Sequence, residues 1–176
     1  LNGKFVDGIA SSANPEVGLD TFVGVLVHEF GHYVNLDHSQ INLLEAFDGV
    51  TANDDVIATM FPFLVSGSEA RTLTRDDEVS LSMLYPSPDF ATTTATIRGE
   101  IRRGDTGAPF AGAFVIARNQ GDPRRDAVGF VAGARFVAGS LDPAAAALVG
   151  AYELAGLTPD ASYTVEIEAV SPLFMG

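Results

Sequence analysis

All three histidines of this 176-residue chain fall between residues 28 and 38, in the stretch HEFGHYVNLDHS, and their spacing constrains the path of the backbone. Residues four apart share a helix face, so His28 and His32 can present their imidazoles to one point. His38 comes six residues later, and a continuing helix would carry it about 9 Å further along the axis. The helix must therefore end and the chain must turn back if the three are to meet. A reversal of this kind takes a residue at positive φ, and Asn35 is the candidate, asparagine being the commonest non-glycine choice there. Three imidazoles converging at roughly 2.0–2.1 Å suit a metal ion, and Glu29, beside that face, can reach a water on the ion without binding the ion itself. The chain has no cysteine, which excludes disulfides and thiolate ligands. A three-histidine set leaves a fourth position open, whereas structural zinc sites are usually closed by thiolates.

The spacing predicts a helix over TFVGVLVHEFGHYV, with Asp20 as its N-cap and Leu19 as a staple. Its apolar positions wrap nearly all round, as expected of a helix buried within a domain. Residues 1–10 read as a short strand and 39–58 as an irregular connection. A second helix is expected in TLTRDDEVSLSMLYP, capped by Thr74, with Asp76, Asp77 and Glu78 in its positive first turn and Pro86 as its stop. The PSPDF segment is a linker candidate. From about residue 94 the period changes to two, in TIRGEIRR, FAGAFVIAR, GAYELAGL and SYTVEIEAV, which predicts an all-β unit. Between them, residues 126–149 are ambiguous, and AAAA fits either a helical turn or a loop.

HEFGHYVNLDHS resembles the zinc-binding consensus of the metzincin metallopeptidases, H-E-x-x-H-x-x-G-x-x-H, most closely in its matrixin-like branch, with Asn35 where the family has glycine. Two further motifs follow in the family's order. ATMFPF resembles the methionine turn, with Met60, with Phe61 where a tyrosine is common and with Pro62 where some relatives use a tyrosine near the metal. TLTRDDEVSLSMLYP is similar to the C-terminal helix, whose paired acids, here Asp76 and Asp77, brace that turn and the chain around it. The resemblance implies that His28, His32 and His38 hold a catalytic Zn2+, that Glu29 is the general base of a secreted endopeptidase acting on protein or peptide substrates, and that Phe63 and Leu64 shape a specificity pocket. It covers residues 1–86, the C-terminal part of such a domain, since the family builds most of its cleft from a sheet preceding the zinc helix. Residues 94–176, beyond a linker at 87–93, resemble the carboxypeptidase regulatory-like β-sandwich, a non-catalytic accessory module. The expected fold class is thus α+β, a metzincin-type fragment plus a β-sandwich whose C-terminal end is left open.

The alternative is a non-catalytic binding or adhesion protein with a vestigial metal site and a ligand-binding sandwich. Asp48, Asn53, Asp54 and Asp55 are candidate Ca2+ ligands, though no run matches an EF-hand and a solvated loop is the simpler reading. The net charge is −13, with three basic and fourteen acidic side chains in residues 1–89 and seven and nine in 90–176. Such a surface repels phosphate backbones, which argues against nucleic acid as a partner. The basic pairs Arg102–Arg103 and Arg124–Arg125 read as surface. No run reaches the roughly 18 apolar residues of a membrane span.

Overall fold

The structure, a computed structural model, describes residues 6–11, 13, 15–65, 71–135, 137–140 and 142–174. It is mixed α and β, with its longer helices in the first half and two small antiparallel sheets in the second. Helix α1 spans Leu19–Tyr33 and helix α2 Arg75–Leu84. A single-turn helix α3, Phe90–Thr93, lies within the stretch expected to be a linker. Of the expected N-terminal strand, residues 1–5 lie outside the described residues, and 6–10 form bends and coil instead.

Strands β1 (Ala95–Glu100) and β4 (Ala151–Leu157) make one sheet, while β2 (Ala113–Asn119) runs between β3 (Ala127–Val131) and β5 (Tyr163–Ala169) in the other. The β2–β3 register pairs Val115 with Phe130, and the β2–β5 register pairs Val115 with Ile167. Strand β3 arises from the ambiguous middle of the sequence, where Gly129 hides its pattern. That glycine is required, because a Cβ would lie 2.2 Å from the ring of Phe114. The AAAA run lies in a 3₁₀ helix, Pro143–Leu148, whose first turn is capped by Asp142 accepting the Ala144 N–H at 2.9 Å.

Strand β2 is buried on both faces. Val115 and Ala117 enter a core with Val128, Leu154 and Leu157 between the two sheets, and Val79 of α2 joins the same core. Phe114 and Ile116 point the other way and pack with Ala127, Ile41 and Ala58. A strand covered on both sides reads as a continuous apolar run rather than an alternation, which is what FVIA is. The first half of the chain thus packs directly on the sheets.

Helix α1 departs from expectation in two ways. Its N-cap is Gly18, and Asp20 sits inside the first turn, where it pairs with Arg71. Its apolar residues are not all buried: Leu19, Phe30 and Tyr33 are well exposed, and only Gly24 and Gly31 are fully covered. The described residues pack against one side of this helix, and the all-round apolar pattern leaves the other side bare.

Candidate metal centre

The C-terminus of α1 is a Schellman turn. Asn35 has φ 66°, its N–H donates to the His32 carbonyl at 3.0 Å, and the Leu36 N–H donates to the Gly31 carbonyl at 2.9 Å. These bonds satisfy the last carbonyls of the helix and reverse the chain. The Asn35 side chain also donates to the Tyr85 hydroxyl, at the end of α2, at 3.3 Å. Beyond the turn, His38 comes back beside the helix.

His28, His32 and His38 offer ligand nitrogens that all lie within 4.8 Å of one another, a cluster that could hold a metal ion. Second partners fix two of the rings. His28 Nδ1 lies 2.8 Å from the Thr59 carbonyl and His32 Nδ1 lies 2.9 Å from the Leu36 carbonyl. A carbonyl only accepts, so each Nδ1 carries the proton and each Nε2 keeps a lone pair, the tautomer a ligand needs. His32 Nε2 and His38 Nε2 are 3.2 Å apart, close to the roughly 3.3 Å edge of a tetrahedron with 2.0 Å metal–nitrogen bonds. Burial, and then the neighbouring His32 and His28, lower the His38 pKa, against weaker opposing effects of Asp37 and Glu29. The neutral, ligating form is favoured at neutral pH.

Met60, 2% exposed, lies against Gly31 of α1, in a turn closed by the Phe61 N–H on the Ala58 carbonyl at 3.0 Å. A Cβ on Gly31 would meet its sulfur at 2.2 Å, so with any other residue the Met60 side chain must shift for α1 to lie this close. Asp77 holds this turn from α2: its carboxylate accepts the N–H of Thr59 at 2.9 Å and of Met60 at 3.1 Å, together with the N–H and hydroxyl of Thr74. Thr59 is the residue whose carbonyl orients His28, so one carboxylate aligns a ligand through the turn. Asp76 faces elsewhere, accepting from the Ser39 hydroxyl at 2.5 Å and the Gly129 N–H at 2.7 Å. Its burial raises its pKa to about 6 against the hydrogen bonds that lower it. Comparison with protein-family models, with curated proteins and with solved structures found no match.

Glu29 is exposed at the mouth of a cavity of about 170 Å³ that His28 also lines, with Val25, Ile57, Phe61, Phe63 and Leu64 among its walls. Phe63 and Leu64 thus line the same cavity as His28, and Asp54 also reaches it. Asp48 bonds Asn53 and the Val50 N–H, and Asp55 pairs with Arg125. Among the described residues the three histidines are the group of metal-ligating side chains that converges, and no helix is long and apolar enough to cross a membrane. The spacing of sequence motifs did not point to Thr59, Leu36 and Gly31, which act through backbone atoms or the absence of a side chain.

Proposed function

We propose that this chain carries the metal centre of a metzincin-type zinc endopeptidase, with the β-sheet region related to the carboxypeptidase regulatory-like sandwich. One observation carries the reading: three imidazoles whose ligand nitrogens lie within 4.8 Å of one another, two of them oriented through Nδ1 by backbone carbonyls, with Glu29 and His28 lining the same cavity. His28, His32 and His38 would hold the ion. Zinc there would acidify a water to a pKa near 7 and polarise a carbonyl. Glu29 takes the proton from the attacking water and passes it to the leaving amine. The cavity beside Glu29 receives a substrate side chain against Phe63 and Leu64. Substrates are proteins or peptides, and the setting is extracellular, as for the family it resembles.

In a chain that includes the cleft strands preceding the zinc helix, Glu29→Ala is expected to retain about one zinc per chain by elemental analysis while losing chelator-sensitive cleavage of an unstructured protein by a factor of 10² or more. His38→Ala is expected to lose the zinc. Undiminished cleavage by Glu29→Ala overturns the assignment of the base. A chain extended by the cleft strands that precede the zinc helix, holding zinc yet cleaving nothing, favours the rival reading, a binding protein with a vestigial site.

A further inference from the structure

The four residues after the third histidine, Ser39 to Asn42, are 8, 3, 2 and 6% exposed, although three of them are polar. Polar side chains are buried in succession only where their hydrogen bonds are met, and here the β-sheet region meets most of them. Gln40 donates to the Ala169 carbonyl at 3.0 Å and accepts the Ser171 N–H at 2.9 Å. Asn42 donates to the Arg124 carbonyl at 3.0 Å and to the Val56 carbonyl at 2.7 Å, and accepts from Arg118 at 2.7 Å. Arg118 is anchored in turn on Glu166 at 2.8 Å. Ile41 packs on Phe114, Ile116 and Ala127, the face of β2 and β3 turned away from the other sheet. Ser39 bonds Asp76, whose second oxygen is held by the Gly129 N–H of β3, and the Ser39 N–H donates to the Met60 carbonyl at 2.9 Å.

We propose that this face of the β3–β2–β5 sheet is the platform that positions the third ligand, His38, by immobilising the four residues that follow it. The sheet region is then a working part of the metal centre rather than a separable module. Two independent units joined by a linker would satisfy their polar groups internally. Here the segment next to His38 draws directly on Arg118, Arg124, Ala169 and Ser171, and through Asp76 on Gly129, all of them beyond residue 94. Arg118 and Ile41 are positioning residues, acting on His38 through the backbone.

The test uses the whole chain with Arg118→Leu and Ile41→Ala, and Val128→Ala as a reference in the core on the opposite side of the sheet. Zinc affinity is measured by competition with a chromophoric chelator, and ligand geometry by the visible absorption of the Co2+-substituted protein. Arg118→Leu and Ile41→Ala are expected to weaken zinc tenfold or more and to shift the cobalt bands, whereas Val128→Ala lowers Tm and leaves both unchanged. Affinity and cobalt spectra like wild type in both positioning variants overturn the proposal. These measurements rest on the metal-centre reading, so amide hydrogen exchange of the metal-free protein over residues 36–42 supplies a readout without metal. Exchange there is expected to quicken at least tenfold in the two variants, beyond any change shared by the rest of the chain. If the wild type takes up no zinc, the metal-centre reading falls and exchange alone decides the platform, with unchanged exchange rejecting it.

Discussion

At position 31 a single hydrogen atom decides whether α1 can lie on the methionine turn. Gly31→Ala places a methyl group against the Met60 sulfur, and Met60 is enclosed with little room to give. We expect a loss of about 1–3 kcal/mol by urea denaturation, typical of overpacking, together with weaker metal binding because His28 and His32 sit on the same helix. Asn35 poses the opposite problem, a side chain present where glycine would serve. Since its φ is 66°, Asn35→Ala should cost about 1–2 kcal/mol for left-handed backbone, while Asn35→Gly should stay within about 0.5 kcal/mol of wild type, the lost Tyr85 contact being exposed and long. Equal costs for the two variants would contradict the backbone explanation. Asn35 was legible in the sequence because the histidine spacing required a reversal between 32 and 38. Gly31 was not, for its partner Met60 lies 29 residues away.

Helix α2 presents two adjacent acids that do different work. Asp77 spends its carboxylate on backbone N–H groups of the methionine turn, whereas Asp76 bridges Ser39 and β3. For Asp76 the folded-state pKa, about 6, lies above the reference value of 3.8. The native state therefore binds the extra proton between those values, and this group's contribution to stability is greatest at low pH and is lost as pH rises through about 6. Measured with chelator present, the stability of wild type relative to Asp76→Asn should rise by roughly 1 kcal/mol per unit as pH falls from 6 to 5, and level off above about 7. A difference independent of pH would show that Asp76 titrates normally. The helix itself was readable from Thr74, the acidic first turn and Pro86, because capping is local chemistry. The start of α1 was misread by two residues, since Asp20 resembles a cap but finds Arg71 instead.

Across the whole molecule, strands β1, β4 and β5 followed from their period-two patterns and turn residues, and β2 fell within FAGAFVIAR although its FVIA run is continuously apolar, but the joining of the two halves did not follow. Nothing in the run SQIN announces that Gln40 will bond residues 129 and 131 positions later, because the contact depends on tertiary structure and leaves no local periodicity. The exposed face of α1 was equally hidden, as its composition is that of a covered helix. Because the segment after His38 is locked to the sheets and Val79 shares their core, zinc should raise the Tm of the whole described fold in one transition. A free zinc concentration a hundredfold above Kd should add about 2.7 kcal/mol. Two separate calorimetric transitions, only one of them zinc-sensitive, would contradict the shared core.

The attachment of Gln40 to Ala169 and Ser171 also has a meaning in the order of synthesis. A chain made from its N-terminus exposes His28, His32 and Glu29 before the strand that secures the residues after His38 has been made. The nascent polypeptide consequently holds its reactive groups without the frame that aligns them, and the centre is completed only when β5 docks. The histidine cluster thus stays without this frame until synthesis has run 129 residues past Gln40.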